Sequence, residues 1–101
     1  MNLVQLTLVA PRHLEDALVE SLLAHPEWDA DFTLGRVEGH GAAREAMSAR
    51  ERVRGRTERC ELHVVLEAEQ AQRLLDSLKE SLPGANVGYW IVPVMEMGRL
   101  A

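Results

Sequence analysis

Residues 59–66, RCELHVVL, alternate so cleanly that they admit one reading: Cys60, Leu62, Val64 and Leu66 share one side of an extended chain, and Glu61, His63 and Val65 share the other. A strand with one apolar side and one mixed side belongs in a sheet whose core lies on a single face. The neighbouring segments must then supply the layer that covers that face.

They do so in a definite order. Residues 2–9 are apolar and β-branched with partial alternation, which predicts a strand. Pro11 suits the first turn of a helix, where its missing N–H would be unpaired anyway, and Glu15 and Asp16 complement the positive end of the dipole. Leu14, Leu18, Ser21 and Leu22, flanked by Ala17 and Val19, mark an amphipathic helix ending near His25-Pro26. Residues 28–31 read as a connector and 32–38 as a second strand, stopped by Gly39-His40-Gly41. After residues 59–66 comes a helix over 68–82 with Leu74, Leu75, Leu78 and Leu82 as its buried stripe, stopped by Pro83-Gly84. Residues 87–94 make the fourth strand.

The order β-α-β-β-α-β predicts an α+β, ferredoxin-like fold, a four-stranded antiparallel sheet with two helices on one face. The 101 residues are read as a single domain with a protruding loop at about 42–58. The uncovered face is expected to carry Val65 with alternate residues of the first and fourth strands, Leu3 with Val9, or Tyr89 with Ile91. That is too apolar for water, so self-association is expected, with a trimer whose sheets turn inward as the first choice.

The loop differs in charge from the body. Residues 42–59 hold six arginines (44, 50, 52, 54, 56, 59) against three glutamates, a balance of +3. The remainder holds five cations against 13 carboxylates, or −8. A basic loop on an acidic body argues for a local anionic partner, and Arg44, Arg50, Arg52, Arg54 and Arg56 are the expected docking residues. No aromatic residue is interleaved with these arginines for base stacking, so nucleic acid is not an expected partner. Pro11 and the charges after it interrupt the first apolar run far short of a membrane span, and no basic leader precedes it, so a soluble cytoplasmic protein is expected. The lone Cys60 fits a reducing compartment.

Gly39-His40-Gly41 reads as a ligand-facing turn or simply a strand end, because glycine permits both close approach and positive φ. Metal donors are present without a signature: Cys60, Met47, Met95, Met97 and four histidines, but no CxxC or HExxH. Cys60 and His63 are an odd number of residues apart and fall on opposite faces of a strand. Glu61 and His63 share a face, roughly 6.6 Å apart along the strand. They are the metal candidates, and three copies of His63 around a threefold axis could converge on one ion. No nucleophile has a recognisable base nearby, so no enzyme is expected.

Across most of its length the chain resembles the P-II signal-transduction proteins. The resemblance rests on APRHLEDALVESL, on FTLGRVEGHG, on RVRG near the loop's exit and on YWIVPV, with the GxG followed some dozen residues later by an Arg-Gly pair. Within that group it is most similar to the P-II-like family encoded beside bacterial heavy-metal efflux pumps. The resemblance implies a homotrimer with ligands held in clefts between subunits, and a loop that docks on a target, often a membrane transporter. It directs attention to Gly39, His40, Gly41, Arg54 and Gly55, with Arg99 standing in for the family's tail arginines.

The sequence also departs from the family's pattern. Val53 occupies the position of the modified loop tyrosine, Ala42-Ala43 replace an arginine-glutamine pair, and the phosphate-gripping segment is reduced to GANVGYW. Ordinary ATP sensing is therefore not expected and no cofactor is assigned. Cu or Zn is the ion class the donors suit. The expected function is a P-II-like trimeric regulator whose basic loop docks on a transport protein or its regulator, sensing a metal or small anion. The alternatives are a direct metal-binding protein, similar to copper and divalent-cation tolerance proteins, and a structural oligomerisation module.

Overall fold

The computed structural model describes residues 2–40 and 57–101. Strand β1 (Leu3–Pro11) leads through a 3-10 turn (Arg12–Leu14) into helix α1 (Glu15–Leu23). A second 3-10 turn (Pro26–Trp28) precedes β2 (Phe32–Gly39), and β3 (Thr57–Glu67), α2 (Ala68–Ser81) and β4 (Gly88–Pro93) follow. The four strands form one sheet in the order β2-β3-β1-β4, every neighbouring pair antiparallel. This is the expected ferredoxin-like arrangement.

The alternation of β3 sorts its residues as expected. Cys60, Leu62, Val64 and Leu66 are buried, as are Val4, Leu6, Leu8 and Ala10 of the adjoining β1. Leu18 and Leu22 of α1 and Ala71, Leu74, Leu75 and Leu78 of α2 close over them. At about 25 cal/mol per Å² of apolar surface removed from water, this interdigitated layer is the main stabilising term of the fold. Helix α2 starts through a capping box: the Glu67 side chain takes the backbone N–H of Gln70, and Gln70 Oε1 accepts the Glu67 N–H at 3.1 Å. Its C-terminal exit passes Gly84, whose φ of 74° is the left-handed conformation glycine adopts without penalty.

Three local expectations are corrected. Pro11 is the last residue of β1 and precedes a 3-10 turn; the α-helix begins only at Glu15 and ends at Leu23. The 3-10 turn Pro26–Trp28 takes in the first residue of the expected 28–31 connector, and Trp28 stacks on His25, ring centroids 4.0 Å apart. Strand β3 begins at Thr57, so Thr57 and Glu58 belong to the sheet rather than to the expected 42–58 loop.

The largest correction concerns β4. Ile91 pairs with Leu6 and Tyr89 with Leu8, and both partners are buried in the helix-covered core. Tyr89 and Ile91 therefore lie on the helix side, not on the uncovered face. Trp90, opposite Thr7, and Val92, opposite Gln5, take the uncovered face instead.

Candidate functional site

The uncovered face of the sheet carries a row of side chains set by pairing register. Thr33 of β2 lies opposite His63 of β3, His63 opposite Thr7 of β1, and Thr7 opposite Trp90 of β4. Thr7 is 1% exposed although its side chain is on the uncovered face, because its neighbours close over it. Gln5 Nε2 donates to His63 Nδ1 at 3.2 Å, and Thr7 Oγ1 lies 3.1 Å from the same nitrogen. The other ring nitrogen, Nε2, faces Glu61 Oε2 at 3.7 Å, with His63 36% and Glu61 28% exposed. Around this polar centre stand half-buried Leu3, Val9 and Val65. Trp90 and Val92 beside them are 48% and 40% exposed.

A second cluster sits where the sheet meets residues 41–56. Arg12 extends from the end of β1, donating from Nη2 to Val37 O at 3.3 Å, with Nη1 4.0 Å from Glu58. Its Nε is buried and has no hydrogen-bond partner among the described residues. Arg59 Nε donates to Thr57 Oγ1 at 2.7 Å. Across the sheet, a Cβ built on Gly39 would overlap Arg59 Nε and Thr57 Oγ1 and approach Arg59 Cζ to 2.6 Å. Gly39 is thus a glycine because an arginine lies over its Cα, and among the described residues the positive-φ glycine is Gly84. We expect Gly39→Ala to lose about 1 kcal/mol, the worth of the Arg59–Thr57 hydrogen bond it displaces. Combining it with Arg59→Ala should cost less than the two changes added separately, read by denaturant midpoints in a double-mutant cycle. Strict additivity would mean the guanidinium is not what excludes a side chain there.

The remaining predicted residues separate clearly. His40 is exposed, its Nε2 3.7 Å from Glu38 Oε2. Arg99 lies exposed in the tail beyond β4, near exposed Met95 and Met97 in sequence. Gly41, Arg44, Arg50, Arg52, Arg54, Gly55 and Arg56 lie outside the described residues. Cys60 is fully buried in the core on the helix side of the sheet, away from His63, and burial pushes its thiol pKa up. On the helix side, Arg36 holds Glu15 through paired contacts of 3.3 Å, and this hydrogen bonding keeps the Glu15 carboxyl below its usual range. An apolar groove toward β4, at the other edge of the sheet, is lined by Leu18, Leu75, Leu78, Leu82, Val87 and Tyr89.

Gln5, Thr7, Arg12 and Trp90 were not singled out from the sequence. Gln5 and Thr7 carry a faint signal, two polar residues of one parity set among apolar neighbours of the other. Only the β1–β3 register shows that they face His63.

Known proteins place this geometry. A family model described as "Protein of unknown function (DUF3240)" matches residues 1–101. Among solved structures, the chain is similar to a DUF3240 family protein from Shewanella baltica, with a TM-score of 0.79 and 24% identity, covering 100% of this chain and 99% of that one. It is also similar to a Thermus thermophilus protein described as PII-like, at TM-score 0.64 and 24% identity, over 93% of this chain and 87% of that one. The nitrogen regulatory PII-like protein CPII from Thiomonas intermedia, bound to ADP, AMP and bicarbonate, matches at TM-score 0.70 and 12% identity, over 98% and 96% of the two chains. At these identities the likeness is one of fold. No curated protein matches the chain.

Proposed function

Because this chain belongs to the DUF3240 family, described as proteins of unknown function, and has the fold of PII-like proteins, we propose that it is a trimeric PII-like regulator. In this reading the uncovered sheet faces turn inward, and residues 42–58 dock on a transport protein or its regulator, with heavy-metal efflux as the process served. The protein performs no catalytic step of its own.

One observation carries the reading: an uncovered sheet face on which Trp90 and Val92 stand 48% and 40% exposed beside half-buried Leu3, Val9 and Val65. Removing contiguous apolar surface of this kind from water drives association. Charge supports the second half of the reading, since residues 42–59 carry +3 on a body of −8. The net positive charge of such a segment would steer it toward an acidic partner. Arg12 and Arg59 stand at the end of the sheet where β2 stops and β3 starts, bonded to Val37 O and Thr57 Oγ1. In this reading the sensed ligand is a small anion near Gly39, His40, Gly41, Arg54 and Gly55, with Arg99, which follows β4 past the opposite end of β1, supplied by a neighbouring copy. The Thiomonas protein's ADP, AMP and bicarbonate are anions of that class.

Sedimentation equilibrium tests the assembly. The wild-type protein is expected at three times the monomer mass. Trp90→Asp places a charge on the uncovered face without touching the core, so it should shift the protein toward monomer while the circular-dichroism spectrum stays unchanged. A wild-type protein that sediments as a monomer at every concentration would exclude the trimer.

A second reading, direct metal binding, is favoured by the placement of Glu61 beside His63 Nε2.

A further inference from the structure

We infer that Glu61 and His63 hold a divalent transition-metal ion, with Gln5 and Thr7 as the groups that orient the imidazole, and that the ion's remaining ligands come from the same residues of neighbouring copies. The inference deepens the proposed function by naming a ligand of the inward-facing sheet, and it rests on that trimeric reading for the shared ligands.

The contact is too long for a good hydrogen bond, lies within ion-pair reach, and is also close to the spacing of two ligands on one ion. His63 Nε2 and Glu61 Oε2 are 3.7 Å apart, whereas a good N–H···O contact spans about 2.7–3.2 Å. Tetrahedral zinc with bonds of about 2.0–2.2 Å to imidazole nitrogen and carboxylate oxygen sets its ligands about 3.4 Å apart. The pair therefore needs to close by only a few tenths of an ångström. Neutral imidazole with a carboxylate is a donor set suited to zinc and its first-row neighbours.

The nitrogen facing away from Glu61 is held as metal-binding histidines usually are, through a second layer of hydrogen bonds. Nδ1 meets Gln5 Nε2 at 3.2 Å and Thr7 Oγ1 at 3.1 Å. Both partners can serve either tautomer. A hydroxyl donates or accepts, and an amide turned about its last torsion presents oxygen in place of nitrogen. When the ion takes Nε2, the ring proton moves to Nδ1 and Thr7 Oγ1 accepts it, with no change in net protonation of the neutral ring. Thr7 is 1% exposed, so its hydroxyl is fixed in place for this role.

One chain is not enough. Among the described residues no group of three or more histidine, cysteine, aspartate or glutamate side chains stands together. Two ligands per chain, on a face that the proposed trimer turns inward, make the site incomplete without a second copy.

The test uses the metal-stripped full-length protein with Zn2+ as the binding probe and Co2+ as the spectroscopic one. Sedimentation is run in parallel without and with metal. We expect one ion per three chains, a Co2+ absorption band of the bound ion, and loss of both in His63→Ala. Thr7→Val, which keeps the shape and removes the hydroxyl, should weaken zinc affinity about 10–100-fold, the usual cost of losing an orienting partner. Its trimer should persist, which separates orientation from assembly. A trimer that binds no zinc, or whose zinc survives His63→Ala, overturns the site and leaves the assembly standing. A protein that is monomeric with and without zinc overturns the trimeric reading, and zinc bound one per monomer then overturns the sharing of ligands.

Discussion

Leu62→Ala is expected to destabilise the protein by about 2–5 kcal/mol, the range for deleting most of a fully buried leucine. Leu62 is 0% exposed at the middle of β3, opposite Leu8 on one side and Leu34 on the other. Its neighbours on both strands are held by ladder hydrogen bonds, so they cannot move in to fill the space. The loss is therefore expected at the upper part of that range. For a domain of about 100 residues, each kcal/mol corresponds to about 4–8 °C in Tm. A fall of tens of degrees, or failure to fold at all, is the result anticipated in a thermal melt. Leu62→Met conserves volume and should cost less than about 1.5 kcal/mol. Similar melting temperatures for the alanine and methionine variants would contradict the placement of Leu62 at the centre of the core.

The second large effect is on partner binding. Arg52→Glu, Arg54→Glu and Arg56→Glu together change the balance of residues 42–59 from +3 to −3. If an acidic surface is recognised there, attraction becomes repulsion and the partner should no longer be recovered on immobilised protein. The core of the described residues is built without them, so the melting temperature should stay within a few degrees. Raising salt should weaken wild-type recovery, because exposed charges are screened beyond about 8 Å at physiological ionic strength. Undiminished recovery by the triple variant would remove docking from the function of this segment.

Part of this fold is legible in the amino-acid sequence. Where a segment has one apolar parity, as in residues 59–66, the two-residue period of a strand leaves no choice of face, and Cys60, Leu62, Val64 and Leu66 are all buried. The stripe of α2 was legible for the same reason at the helical period, with Leu74, Leu75 and Leu78 buried. Strand β4 was not legible in this way. Tyr89, Trp90, Ile91 and Val92 are apolar on both parities, so the pattern cannot say which pair meets the core. The pairing of Leu6 with Ile91 decides it. At Pro11, the fit of proline to a first helical turn was a sound local rule overridden by its place at the end of a paired strand.

The candidate site divides along the same line. That Glu61 and His63 share a face follows from their spacing alone, and so does the separation of His63 from Cys60. The basic character of residues 42–59 is likewise a property of the chain as written. What holds His63, however, comes from Gln5 and Thr7, 58 and 56 residues away in sequence. Gly39 is explained by Arg59, which reaches it only through the β2–β3 register. Period and charge are local quantities, so the chain by itself determined its elements, their order and the faces of the clearly patterned ones. Register and cross-strand contact are set by which strands pair and where, and only the tertiary structure decided those.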